Sequence, residues 1–310
     1  MSCIKYKLES VGDHLGEDQL ANILEANLKV YYDWALLCMG GWTEVDADSE
    51  AAYGGNYSRL SLVDDPNYDA GQVWQAARKD FVWEQVEYTN ITGGEISPSI
   101  VGDPLVDNVA VTGYYINYPE GKVVFDEAQN TSSEVTLSYP YRYVQIYRAD
   151  DAPWLRELQL NSYRIDTNFQ EGSGVWNLFS ENRVQLPAIV IESVPRGTSK
   201  GWELGSESKE ASRDILFHVY AQNRSDRNNL MDIINLQTDR HIHLFDTNSV
   251  ANSGDFALDY RGSLVKNINY PDLVAETGHR WNTCKMTNST ISNVSQINPY
   301  LYQAVVRTTM

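Results

Sequence analysis

The sequence predicts an α+β protein: a long N-terminal helix with an antiparallel β-module, then a C-terminal mixed-sheet domain flanked by helices. Three observations carry this. Apolar residues recur at spacings of three and four between Glu17 and Met39, and the period turns to two between Val109 and Tyr147. From Pro187 onward, strand and helix signals alternate. A seam near residue 150 divides the chain into a 1–150 unit and a 151–310 unit.

The first element places Leu20, Ile23, Leu24, Leu28, Tyr31, Ala35 and Cys38 on one helical face. Glu17 and Asp18 in its first turn complement the helix dipole, and Gly40-Gly41 ends it. The stretch from Gly41 to Gly102 is rich in Asp, Gly, Ser and Tyr, with short apolar patches at Gln72–Arg78 and Phe81–Val86. It reads as long loops carrying a short helix and a strand. Tyr114, Ile116 and Tyr118 alternate before Pro119-Glu120-Gly121, and Val123 and Phe125 alternate after it, so this is a hairpin with a Pro/Gly turn. Val135, Leu137 and Tyr139, then Tyr141, Tyr143, Gln145 and Tyr147, keep the strand period, while Pro140 marks an edge or a bend.

Past the seam, Asp151-Ala152-Pro153-Trp154 starts a helix, with Pro153 near its first position. Pro187–Val194 is a strand bounded by Pro195-Arg196-Gly197, and Asp214–Ala221 is another. Ser225 or Asp226 is expected to cap a helix over Asn228–Thr238, followed by a short strand at His241–Asp246. The polar segment 246–299 reads as a long loop that becomes ordered on assembly, and Tyr300–Arg307 closes the chain as a strand.

Composition narrows the function. The 310 residues are 42% hydrophobic and carry 35 aromatics, 20 of them Tyr, so the chain folds rather than remaining disordered. No apolar run long enough to span a bilayer occurs, and the N-terminal residues lack a signal-peptide core, so the chain reads as soluble, with no membrane partner. Cys3, Cys38 and Cys284 are far apart and odd in number, which fits reduced thiols. Six Asn-x-Ser/Thr triplets read as chance in an Asn/Ser/Thr-rich chain. Net charge is −18, and residues 1–150 hold 9 Lys/Arg against 24 Asp/Glu. That acidity opposes phosphate binding and suits a wall along which DNA slides without sticking.

Catalytic signatures are missing. There is no Gly-x-Ser-x-Gly elbow, no His-Glu-x-x-His helix and no phosphate loop. Asp239, His241, His243 and Asp246 resemble a metal set by composition, but the alternation of outward His with inward Ile242 and Leu244 explains the pattern by itself. Asp64-Asp65 and Asp150-Asp151 read as solvated loop acids, and the paired glycines as turns. A hydrolase would need a pocket gathering His218, His241 or His243 with acidic partners. The expectation is a non-enzyme with no cofactor and no metal. Tyr114, Tyr115, Tyr118, Tyr139, Tyr141, Tyr143 and Tyr147 suit cross-strand packing, a protein interface or a sugar-binding platform.

The succession Pro187–Glu192, Gly201-Trp202-Glu203-Leu204-Gly205, Ser212–Ala221, Arg224–Ile234, His243–Asp246 and Tyr302–Arg307 resembles the tail terminator and tail-completion proteins of tailed bacteriophages. The segments Tyr115–Phe125 and Val135–Tyr141 are similar to a β-module of phage neck and tail proteins. The resemblance implies a tail-terminator-like C-terminal domain and a structural virion protein of the neck, assembled in the host cytoplasm. It would form a ring, most often hexameric, that ends the tail tube and joins it to the head connector while genomic DNA passes through without specific binding. Implied partners are further copies of the chain, the tail tube, the connector or adaptor proteins and the sheath. By position, the 197–212 hairpin region and the 246–299 segment are candidates for contacts with a neighbouring subunit or the tube, and Trp202, Glu203, Leu204, Arg213, Tyr141 and Tyr143 are the candidate contact residues. Family members are about half this length, so the acidic N-terminal half is an addition. The alternative is another virion module, such as a baseplate, fibre or sugar-binding β-protein, presenting an aromatic platform around Tyr139–Tyr147.

Overall fold

The computed structural model describes residues 17–46, 56–90, 92–155, 184–201, 209–275 and 278–310. Helix α1 (Glu17–Cys38) opens the chain, and Leu24, Leu28, Tyr32 and Leu36 form its buried stripe. The stripe lies on a five-stranded sheet of order β12 (Gln145–Arg148), β13 (Ala188–Gly201), β14 (Lys209–Ala221), β18 (Leu301–Thr309), β17 (Thr287–Asn298). All neighbours are antiparallel except β12 and β13, which are parallel, so the sheet is mixed as the sequence predicts.

Alternation along the strands gives the sheet two apolar faces. Ile189, Ile191, Ile215, Phe217, Val219 and Val306 point towards α1. The same core takes Leu230 and Ile234 of helix α2 (Arg224–Asn235) and Ile242, Leu244 and Phe245 of β15 (His241–Phe245). Ala188, Val190, Tyr220 and Leu301 point the other way, onto Ala152, Trp154, Leu155 and Val184. Packing therefore crosses residue 150: α1 and β12 come from the 1–150 segment, yet β12 is a strand of the sheet that the 151–310 segment builds, and α1 packs on its face.

A second core sits in the β-module. Strands β8 (Tyr114–Asn117) and β9 (Lys122–Phe125) form the expected hairpin, extended by β3 (Val73–Gln75) and β2 (Ser61–Leu62). Gly121 turns the hairpin at φ +64, where a Cβ would lie 2.5 Å from the Arg78 carbonyl oxygen, so no other residue fits. Phe81, Val123, Phe125, Val135 and Tyr139 fill the interior. Pro140 lies in β11 (Tyr139–Arg142), which pairs with β1 (Trp42–Val45) on one side; on the other side it meets an isolated bridge between Tyr141 and Phe81, and the Pro140 carbonyl accepts the Val82 N–H at 3.0 Å. A flank with so little ladder tolerates the missing donor.

Three expectations need correction. The short helix expected within 41–102 is not found among the described residues of that stretch; the Gln72–Arg78 patch holds strand β3, whose three residues are buried on both faces, so no alternation marks them. Helix α2 starts earlier than expected: Asn223, extended at φ −134, is the N-cap, and its Oδ1 accepts the Asp226 N–H at 2.8 Å. Segment 246–299 is not one long loop. It carries helix α3 (Thr247–Ser253), helix α4 (Tyr270–Leu273), strand β16 (Arg280–Lys285) paired with β15, and β17. Polar composition hid β17 because it is an edge strand, and three register shifts break its period. No described helix is long and apolar enough to cross a membrane.

Candidate assembly surface

Strands β13 and β14 outrun their neighbours. The ladder of β12 ends opposite Ile191 and that of β18 opposite Asp214, whereas β13 and β14 continue to pair with each other from Gly197–Arg213 to Gly201–Lys209. A register shift between Ser193 and Gly197 separates sheet from arm, and such a shift adds bend and twist. Thr198 and Ser212, opposite each other on the arm, share a hydroxyl hydrogen bond of 2.7 Å. Trp202, Glu203 and Leu204, expected as contacts, lie outside the described residues.

The other three candidates are described, and two of them are not surface groups. Arg213 is only 4% exposed; its Nη1 donates to Ser193 Oγ at 3.5 Å, and its main chain pairs in both directions with Met310. It braces the root of the arm. Tyr141 is buried in the second core beside Tyr139, beneath the Arg78 guanidinium at 5.5 Å. Tyr143 is 41% exposed, and its hydroxyl donates to Asp226 Oδ2 at 2.9 Å, tying the β11–β12 connection to the first turn of α2. Burial, then this hydrogen bond, pushes the Tyr143 phenol up to about 12. Tyr143 is thus the described candidate residue that faces solvent, and on the arm Thr198 and Ala211 are exposed.

The tyrosines of 139–147 do not form an open platform. Tyr139 and Tyr141 are buried, and Tyr147 packs edge-on against Trp154. Burial raises Tyr147 well above the ordinary phenol range, and Asp80 and Asp33 add to it. They are core aromatics, joined by Phe81 at 4.3 Å from the Tyr139 ring.

The histidines named by the sequence stay apart. His218 is buried, with Nε2 2.7 Å from Glu192 Oε2, while His241 is exposed and His243 Nδ1 lies 3.2 Å from Thr283 Oγ1. Among the described residues no three His, Cys, Asp or Glu side chains are arranged to hold a metal ion. Sequence reasoning missed a different series. Ser249 Oγ lies 2.8 Å from His279 Nδ1, His279 Nε2 lies 3.0 Å from Asp255 Oδ2, and Asp255 Oδ1 takes the Lys266 ammonium at 2.5 Å. The hydrogen bond from Lys266, then those from Ser253 and His279, hold the Asp255 carboxyl down at about 2. Asp255 is shared between an imidazole and an ammonium, so the series braces α3 against the start of β16. Nothing short of the tertiary contact joins residues thirty positions apart, and no local motif announces it.

Below the surface, one ionic cluster locks the β-module to helix α1. Arg142 Nη2 donates to both carboxylate oxygens of Glu84 at 2.6 Å, its Nε lies 3.5 Å from Asp80, and its Nη1 donates to the Asp33 carbonyl at 3.3 Å. The guanidinium also covers the Trp83 ring at 4.7 Å. Lys29 pairs with Asp33 at 2.7 Å. Burial disfavours the Lys29 ammonium, but Asp33 and Asp80 outweigh it and hold it above the usual range. Burial pushes Asp80 up to about 6 against the pull of Arg142.

No family model matches this sequence, and no curated protein matches it.

Proposed function

We propose that the protein is a structural subunit of a tailed-phage neck, forming a ring that ends the tail tube and joins it to the head connector. The observation that carries this reading is the projecting β13–β14 arm on a mixed sheet covered by α1 and α2, the architecture that the sequence resemblance implies. An arm paired only with itself contributes little to its own subunit's core and is shaped to reach a neighbour. The acidic 1–150 segment supports a lumen that repels the DNA passing through it. In this reading the chain works without cofactor, metal or catalytic group. Its partners are its own copies, the tail tube, the connector and the sheath, and its place is the virion, after assembly in the host cytoplasm.

The alternative virion module with an aromatic platform loses support, because Tyr139 and Tyr141 are buried. Light scattering of the purified chain, with negative-stain images of the same sample, tests the proposal. A closed six-fold or twelve-fold ring with an open pore is expected. A trimer without a pore would overturn it in favour of a fibre or baseplate component.

A further inference from the structure

Residues 286–306 form the longest stretch of the sequence without Asp, Glu, Lys or Arg, in a chain whose net charge is −18. The stretch makes β17 and most of β18. Strand β18 lies inside the sheet, but β17 closes it, and no described strand pairs with its outer side. Proteins ordinarily guard such an edge with charge or proline, because unpaired main-chain groups recruit another strand. Thr287–Asn298 has neither. Ile291 and Val294 stand opposite Val306 and Ala304 of β18, on one face, and are 42% and 47% exposed.

We propose that β17 is the edge on which a second copy of this chain adds a strand, and that the strand is supplied by its β13–β14 arm. The assignment rests on the ring reading for there being a second copy. Two strongly acidic copies repel except where a strip carries no charge, and β17 is that strip. The arm does not share the chain's acidity: residues 196–213 hold four Lys/Arg against three Asp/Glu. The lengths match as well. Register shifts bend β17 on both sides of Asn293–Gln296, so it takes a short, twisted partner, and the arm strands run five and four residues past the sheet, 197–201 and 209–212. Each copy then gives one arm and receives one at a different place. Such heterologous contacts build a ring when the rotation from copy to copy closes, and an open filament when it does not.

The full-length protein tests this in two ways. In the first, Ile291→Lys with Val294→Lys puts charge on the edge without touching a buried position. Assembly should weaken by at least about tenfold, while the thermal unfolding of the subunit holds. In the second, a benzophenone amino acid replaces Val294 in a mixture of isotopically heavy and light chains. Irradiation should join the 287–298 peptide of one copy to the 197–213 region of another. Rings that persist unchanged in the double-lysine variant would overturn the edge assignment and leave the ring reading standing. Cross-links between two copies of β17 would overturn the arm as donor. Wild-type protein that stays monomeric at every concentration would sink the ring reading and this contact together. Should the lysine variant fail to fold, the cross-link decides alone.

Discussion

The Asn27 carboxamide hydrogen-bonds both main-chain polar groups of Phe245: Oδ1 accepts the N–H at 2.8 Å, and Nδ2 donates to the C=O at 3.1 Å. Asn27 is fully buried in the middle of α1, and Phe245 ends β15, so a helix side chain completes the strand as a neighbouring strand would. Asn is an indifferent helix former, and its place here is explained by this pairing.

Replacing Asn27 by Leu keeps the branched shape, at a somewhat larger volume, and removes both partners. Two buried main-chain groups at about 1–3 kcal/mol each predict a loss of about 2–6 kcal/mol in unfolding free energy, read from urea midpoints. Asn27→Asp should fare no better, since it keeps the acceptor but loses the donor and buries a charge. A loss below about 0.5 kcal/mol for the Leu variant would show that Phe245 finds other partners.

Arg142 carries a different kind of dependence. Its guanidinium faces Glu84, Asp80 and the Asp33 carbonyl at once, and three carboxylates meet only two cations in this cluster. Arg142→Met should cost about 3–5 kcal/mol, because it leaves buried carboxylates uncompensated. Arg142→Lys should recover only part of this, since an ammonium cannot reach Glu84, Asp80 and the carbonyl together. The double variant Arg142→Met with Glu84→Leu should regain stability over the single one. If instead the two losses simply add, Glu84 is not the partner that matters.

Asp80 and Asp255 pull the pH dependence in opposite directions. Asp80 is raised from 3.8 to about 6 by burial, so the folded state holds its proton more tightly than the unfolded chain. Its contribution is most favourable below about pH 4 and is lost as pH rises through about 6. Asp255 is lowered from 3.8 to about 2, so its contribution is present above about pH 4 and is lost as pH falls towards 2. Stability should therefore peak at mildly acid pH as far as these two groups decide it. Asp80→Asn should flatten the decline above the peak, and Asp255→Asn the decline below it; Asn also suits the left-handed backbone of Asp80 at φ 61. Urea midpoints measured from pH 2.5 to 7.5 check both, and an unchanged slope above pH 4 in Asp80→Asn would count against its raised pKa.

Periodic elements were legible in the sequence and aperiodic ones were not. The α1 stripe, the Gly121 hairpin and the closing strand follow from spacing, because each keeps one face buried along its length. Strand β3 is buried on both faces and β17 exposes most of one edge, so neither alternates: a strand is expected within 41–102 but not placed, and β17 reads as loop. Two of the candidate contact residues, Arg213 and Tyr141, are buried for a related reason. Sequence places Arg213 and Tyr141 on strands but cannot say which face is covered, and the covering comes from Met310 in one case and Arg78 in the other. Tyr143, two positions from Tyr141, escapes to the surface because it stands in the connection between β11 and β12.

The closing strand offers the most severe test of the fold. Strand β18 lies between β14 and β17, pairing with β14 from Asp214–Thr309 to Ala221–Tyr302, and it buries Leu301, Ala304, Val306 and Met310. A chain ending at Pro299 loses these side chains and leaves two long strand edges facing each other across a gap. Burial of Leu301, Val306 and Met310 contributes about 1.5–3 kcal/mol each, and the stability of a whole domain is about 5–15 kcal/mol. The truncated chain should therefore show no cooperative thermal transition for the five-stranded sheet. Because α1 packs on that same sheet, the helical circular-dichroism signal of α1 should fall with it, although residues 17–38 are untouched. A truncated chain that kept its melting midpoint and its helical signal would place β18 outside the core and sever the link between the first element of the chain and the last.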